Sequence, residues 1–173
     1  MAEPQISHSV TIEPLTAEAF QPFGDVIEAS ASARHFTINN GFAERYHDLA
    51  RIDMVGEGSH AIVSIFKAKP RPFPMAIALM ERHPLGTQAF VALSPMPFLV
   101  VVAAPDTLPA PLDIRCFLAA AGQGVNYARG TWHHPLIALH EPGDFLVIDR
   151  GGPADPGNCD ETVLAAGSVW LTR

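Results

Sequence analysis

Short apolar runs separated by glycine and proline are the dominant pattern along this chain. The 16 Pro and 13 Gly are spread between the runs rather than pooled in one linker. Such punctuation is typical of all-β barrels and sandwiches, whereas amphipathic helices need longer stretches with a period of 3.6 residues. The runs that predict strands are 62–67, 75–82, 89–93, 98–104, 114–119, 134–140 and 145–149.

Two local signals refine this picture in the N-terminal part. Asn40-Gly41 follows the run 35–38, and because both residues tolerate positive φ, the pair predicts the turn of a β-hairpin. Helix is scarce, since 16–20 fits only one short turn with Thr16 as its N-cap, stopped before Pro22. An open sheet of so many apolar strands would expose its edges, so we predict one closed barrel with an N-terminal hairpin added.

Composition and charge narrow the class of protein. Hydrophobic residues are 48% and charged residues 17%, which argues against disorder and predicts a single domain over residues 1–173. The net charge is −7 and no basic run occurs, so we expect no nucleic-acid partner.

The longest apolar run, 98–104, is too short to cross ~30 Å of hydrocarbon, so we expect no membrane span. The N-terminus lacks a basic segment followed by an apolar run, so no signal peptide is expected. Cys116 and Cys159 match no metal-ligand spacing, and we expect reduced thiols in a cytoplasmic protein.

Candidate chemistry is concentrated in two segments, 81–88 and 130–135, where imidazole stands beside a glycine or proline break. Residues two apart in a strand share a face, so Glu81 and His83 lie together and Arg82 points the other way. Gln88 could rejoin that face only through a break, which 84–86 can provide because it contains proline and glycine. Segments so far apart converge only if the intervening chain folds back.

Four further residues could bind an anion. Arg45 and His47 share a face just beyond the predicted hairpin turn, and a guanidinium suits a carboxylate. A solvated strand edge is the alternative for this pair. Lys67 could add positive field to a pocket. Arg150 ends a strand where polar residues commonly line a barrel mouth, although a structural ion pair fits it equally well.

These segments resemble those of the ureidoglycolate lyase family, formerly called ureidoglycolate hydrolases. Gly130-x-x-His133 is similar to the second cupin motif, and 81–90 occupies the position of the first, metal-ligand motif. With 39–48 and 145–152, the resemblance extends from about residue 12 to 158. It implies an all-β, cupin-like double-stranded β-helix barrel, a homodimer, and cleavage of (S)-ureidoglycolate to glyoxylate and urea in allantoin degradation.

The resemblance also implies roles for residues. Where cupins have three histidines and a glutamate, this chain has Glu81, His83, Gln88 and His133, which become the expected catalytic residues. The motif spacing selects His133 over His134 as the inward-facing residue, and sends Trp132 and His134 to the opposite face, against a second sheet or a subunit interface. The expected substrate-binding residues are Arg45, His47, Lys67 and Arg150.

A metal site is expected to involve Glu81, His83 and His133. Neutral Gln88 is a weak ligand and lowers the expected affinity for a divalent ion. A polar pocket without metal is the alternative. The family implies a Ni²⁺-type dependence that is stimulatory rather than strict, and no organic cofactor is expected.

Two other functions fit the residues. Another cupin-type metal-dependent enzyme, such as an isomerase or dioxygenase, would need a firmly held metal, and Gln88 argues against that. A non-catalytic module for small anions would bind them without turnover. A urea-release assay separates all three possibilities.

Overall fold

The strands predicted from the apolar runs dominate the molecule. A computed structural model describes residues 8–153 and 158–172, with 47% of residues in strands and 7% in helices. The all-β prediction is therefore confirmed. In chain order the elements are β1 His8–Val10, β2 Ile12–Pro14, α1 Ala17–Phe20, β3 Gly24–Ile27, β4 His35–Ile38, β5 Ala43–Tyr46, β6 His60–Ala68, β7 Met75–Ala76, β8 Leu79–Arg82, β9 Gln88–Ala92, β10 Phe98–Ala103, β11 Arg115–Ala119, β12 Gly124–Tyr127, β13 Trp132–His133, β14 Ile137–Ala138, β15 Gly143–Gly151, β16 Asp160–Val163 and β17 Val169–Leu171, with 3-10 turns at Asn39–Gly41 and Pro111–Asp113.

The strands of the described residues are divided among four sheets. The largest has the order β16-β8-β13-β10-β11-β2, with β14 also on β10, and the next has the order β3-β12-β9-β15-β6. A third sheet is β1-β17-β7, and β4-β5 form the hairpin. The prediction of one closed barrel is wrong, because hydrogen bonding among the described residues ends at edge strands such as β3 and β6.

The central strand β10 shows where the cores lie. Its residues alternate between two apolar clusters, so both faces are buried, as a continuous apolar run predicts. Phe98, Val100 and Val102 face a cluster shared by the two large sheets. Leu99 and Val101 face a second cluster shared with the three-stranded sheet.

The two N-terminal signals are both confirmed. Strands β4 and β5 pair antiparallel, and their turn carries positive φ at Asn40 (56°) and Gly41 (93°). Helix α1 begins after Thr16, whose Oγ1 accepts a hydrogen bond from the Ala19 N–H at 3.1 Å. The hairpin is therefore present, although it forms a sheet of its own.

Two predicted strands are each split. In the run 75–82 the chain leaves β17 after β7 and joins the large sheet at β8. In the run 134–140, Pro135 has no N–H for the ladder, and β14 rejoins β10 with one extra residue relative to β13, which is a bulge. No helix among residues 8–153 and 158–172 is long and apolar enough to span a membrane.

Candidate active site

The sheet register brings the first catalytic candidates together. Strands β8 and β13 are antiparallel neighbours, with His133 directly opposite Glu81. His83 follows one residue after β8, on the same face as Glu81. One ligand atom from each of Glu81, His83 and His133 lies within 4.8 Å of the others. We call these three residues the imidazole–carboxylate cluster, and its predicted convergence is confirmed.

Backbone carbonyls fix the orientation of both imidazoles. The Nδ1 atom of His83 lies 2.8 Å from the Asn158 carbonyl oxygen, and Nδ1 of His133 lies 3.0 Å from the Thr131 carbonyl oxygen. Because a carbonyl only accepts, each Nδ1 carries a proton, and Nε2 is the ring nitrogen left to face the cluster. Neither Nε2 atom has a hydrogen-bond partner among the described residues.

Electrostatics at the cluster favour an ionised Glu81. Its Oε1 lies 3.5 Å from His133 Nε2, and this contact lowers the pKa of Glu81 although burial opposes it. Tyr127 stacks on the His133 ring, with centroids 4.2 Å apart and planes 11° apart. Burial raises the pKa of Tyr127, so the phenol stays neutral against the imidazole face.

The donor set of the cluster fits a divalent transition metal. Two imidazole Nε2 atoms and one carboxylate oxygen suit zinc, nickel or iron(II), since these ions accept both nitrogen and oxygen ligands. Hydrogen bonds from each Nδ1 to a carbonyl are the usual outer support of metal-binding histidines. Both Nε2 atoms are buried and free to bind.

Gln88 reaches the cluster through the predicted break. Gly86 lies against Arg150, and a Cβ at that position would be 2.6 Å from the Arg150 Cβ, so the crossing between the sheets requires glycine. Gln88 then begins β9 in the second large sheet and is only 7% exposed. It lines two cavities, one bordered by His83 and the other by Glu81. Its return to the face of His83 is therefore confirmed.

The first cavity has a volume of about 350 Å³. His83, Gln88, Asp149 and Arg150 all line it. The Gln88 amide donates to Asp149 at 3.5 Å, while Arg150 Nε donates to the Val55 carbonyl at 2.9 Å. We call this space the Arg150 cavity.

The second cavity has a volume of about 300 Å³ and is lined by Glu81, Gln88 and three cations. Lys67, one of these cations, forms an ion pair with Asp144 at 2.7 Å, with 78% of its side chain exposed. We call this space the lysine cavity. Arg150 therefore shares a cavity with His83, and Lys67 shares one with Glu81.

The hairpin candidates lie elsewhere. Arg45 is exposed on β5, with its guanidinium 5.8 Å from the Phe36 ring centroid. His47 packs against the same ring at 5.7 Å. Neither residue lines the Arg150 cavity or the lysine cavity. Within the described chain the structure does not bring them to the cluster.

The opposite face of the same strands is filled by packing, as strand parity predicts. Arg82 forms an ion pair with Asp160 at 2.8 Å and lies 4.6 Å from the centroid of buried Trp132. His134 is buried within the chain, so a subunit interface is wrong for it. Burial lowers the pKa of His134 to about 4.

The sequence patterns missed four residues near the cluster. Tyr127 lies on β12, a short strand with a polar residue that no apolar run marks. Asn158 contributes a backbone carbonyl, for which no residue type is diagnostic. Lys69 and Arg71 did leave a signal, because they continue the alternation that Lys67 begins.

The geometry first defines the class of protein. It is an all-β protein whose two large sheets enclose a cluster of two histidines and a carboxylate. The comparisons with known proteins are more specific. Residues 7–171 match the family model described as ureidoglycolate lyase, and the chain belongs to this family. The resemblance inferred from the motifs is thereby confirmed.

Individual relatives agree along most of their length. A Burkholderia cepacia protein is 54% identical over 153 residues, covering 88% of this chain and 85% of the relative. A Burkholderia mallei protein is 51% identical over 164 residues, covering 95% and 94%. One from Pseudomonas aeruginosa is 51% identical over 153 residues, covering 88% and 89%. All three carry the name ureidoglycolate lyase.

Proposed function

We propose that the protein cleaves (S)-ureidoglycolate to glyoxylate and urea, as a lyase of allantoin degradation. The observation that carries this proposal is the convergence of Glu81, His83 and His133 with two free Nε2 atoms. Family membership and the names of the relatives support the same substrate. The two small cavities that border the cluster suit a small molecule.

The reaction needs two proton transfers and no covalent nucleophile. One carbon of the substrate carries a hydroxyl, a carboxylate and the ureido nitrogen. Removal of the hydroxyl proton forms the carbonyl of glyoxylate, while the carbon–nitrogen bond breaks and the nitrogen takes up a proton to become urea. Neutral imidazole accepts a proton and imidazolium donates one near neutral pH, so a histidine pair performs both steps.

The neighbour of each imidazole assigns its role. Glu81 lies 3.5 Å from His133 Nε2 and stabilises positive charge there, so His133 is the acid that protonates the departing nitrogen. His83 borders the Arg150 cavity with its Nε2 lone pair free, which suits the base that takes the hydroxyl proton. Gln88, between the two cavities, is placed to hydrogen-bond the substrate.

A divalent ion such as Ni²⁺ would be held by Glu81, His83 and His133. When bound, it would act as a Lewis acid toward the hydroxyl and carboxylate oxygens. Gln88 offers only a neutral amide oxygen in place of a fourth charged or imidazole ligand, which is consistent with a metal that stimulates activity rather than one that is required.

A homodimer is supported by a strand with one open edge. Strand β6 is the edge of its sheet, and four of its large apolar side chains are 38–66% exposed. They are Ile62, Val63, Ile65 and Phe66. An exposed apolar edge of nine residues is a liability unless another chain covers it, and a two-fold axis would cover both copies at once. A cytoplasmic location is supported by two free cysteines.

The deciding experiment incubates the purified protein with ureidoglycolate and measures urea, glyoxylate and ammonia separately. Each assay is run as purified, after chelation and after added nickel, with His133→Asn as the inactive control. We expect equal amounts of urea and glyoxylate from the wild type. Ammonia in place of urea would indicate an amidohydrolase, and anion binding without any product would indicate a binding module.

A further inference from the structure

The lysine cavity has an unusual wall for an acidic protein. Lys67, Lys69 and Arg71 line it together with Glu81 and Gln88. Lys67 and Lys69 are the only lysines in the sequence, and the net charge is −7. The overall charge of the chain repels anions, yet both of its lysines and one arginine lie in this wall beside the cluster.

The end of strand β6 and the residues that follow it form the wall. Strand β6 ends at Ala68, and Pro70 continues in a parallel bridge to Ala138. The three cationic side chains at 67, 69 and 71 border the cavity together with Phe66 and Ala68, so residues of both parities form this wall. We call these three side chains the basic strip.

Two side chains of the basic strip have no ion-pair or hydrogen-bond partner among the described residues. Lys67 is paired with Asp144, and Arg82, Arg115 and Arg129 each pair with a carboxylate. The side chains of Lys69 and Arg71, by contrast, make no ion pair or hydrogen bond within residues 8–153 and 158–172. Both are exposed at the mouth of the cavity. They are available to an incoming anion without breaking an internal contact.

The inner end of the cavity has the opposite chemistry. Gln88 is 7% exposed, and its Oε1 has no hydrogen-bond partner among the described residues. An amide oxygen accepts hydrogen bonds and matches the N–H groups of a urea. A molecule with a carboxylate at one end and a ureido group at the other would therefore bind with its carboxylate outward and its reacting carbon beside Glu81.

From this arrangement we infer that Lys69 and Arg71 form the carboxylate-binding subsite, and that the substrate enters through the lysine cavity. The inference rests on the proposed function for the identity of the substrate. The anion preference itself follows from the basic strip, so any small 2-hydroxy or 2-oxo carboxylate would bind there. Urea alone, which carries no charge, would not depend on these cations.

The test measures binding of the two products separately by calorimetry. Glyoxylate and urea are titrated into the wild type and into the double variant Lys69→Gln/Arg71→Gln. The matched control, Arg34→Gln/Arg51→Gln, removes the same charge from exposed positions outside both cavities. We expect the double variant to bind glyoxylate about tenfold more weakly, because charge-assisted contacts to the carboxylate are lost.

The remaining results separate the alternatives. Urea affinity and the melting temperature should stay unchanged in the double variant, KM for ureidoglycolate should rise by a similar factor, and kcat should not. Unchanged glyoxylate affinity, or an equal loss in the control, would overturn the subsite and favour Arg150. Weaker glyoxylate binding in a protein that releases no urea would reject the proposed function and leave the subsite standing.

Discussion

His133 and His134 are adjacent and both are buried, yet they differ in what surrounds each ring. His133 keeps a free Nε2 beside the Glu81 carboxylate and a stacked Tyr127. His134 sits where burial disfavours the charged ring, and its pKa falls to about 4. Burial alone therefore does not make a histidine chemically useful. An unused ring nitrogen facing an ionised group does.

The largest effect that tests this comparison is on turnover. We expect His133→Asn to fold and to lose most activity, roughly 10²–10⁴-fold, because general acid–base contributions have that size. His134→Asn should lose stability while retaining most of its kcat. Steady-state kinetics and thermal unfolding of both variants provide the measurement.

The same pair can contradict our strand register. If His134→Asn were inactive while His133→Asn kept normal activity, then His134 rather than His133 would be the histidine that faces the cluster. Metal analysis adds a second readout, since a ligand role predicts less bound nickel in His133→Asn, whereas a pure proton-transfer role leaves the nickel content unchanged.

The next effect concerns stability against pH. The pKa of His134 is about 4 in the folded chain and 6.5 ordinarily, so between these values the unfolded chain binds one more proton. The contribution of His134 to the free energy of unfolding is therefore fully present above pH 6.5. It is lost as the pH drops toward 4, which lowers the free energy of unfolding by roughly 3 kcal/mol. Urea unfolding at several pH values should show a shallower acid decline in His134→Gln. An identical slope in both proteins would mean that His134 is not the group responsible.

A smaller effect is expected at Arg82, on the packed face of β8. Its ion pair with Asp160 is partly exposed, and its guanidinium covers Trp132, so Arg82→Gln should destabilise the fold by about 1 kcal/mol. Turnover should change less than twofold. A large loss of kcat without unfolding would show that the two faces of β8 are not independent.

The smallest effect is expected at Arg45. It lines neither cavity next to the cluster. If each active site is built from one protomer, Arg45→Ala should therefore alter KM less than threefold. A tenfold rise in KM would instead require the hairpin of a second subunit to cover the site. Comparing KM at protein concentrations above and below dimer dissociation would identify that arrangement.

The contrast between the two faces also shows what the sequence could predict. Parity placed Glu81 with His83 and Arg82 opposite them, and the hairpin followed from Asn40-Gly41, because these signals depend on neighbours in the chain. The prediction of a closed barrel was wrong because closure depends on which strands, distant in sequence, pair with each other. The Asn158 carbonyl was not predictable because it meets His83 across a long sequence separation. The stacking of Tyr127 on His133 was not predictable because β12 and β13, although close in sequence, belong to different sheets.

The carbonyl groups that orient His83 and His133 have a consequence for how this protein can change over time. Every amino acid supplies the same backbone oxygen, so no substitution at 131 or 158 can delete the acceptor itself. The Thr131 hydroxyl donates to the Phe23 carbonyl, and the Asn158 Oδ1 accepts from the Leu85 N–H, so replacements there loosen loops first. Substitutions at 131 and 158 therefore cannot remove the acceptors that fix the two imidazole tautomers, whereas substitutions of His83 or His133 remove the imidazole itself.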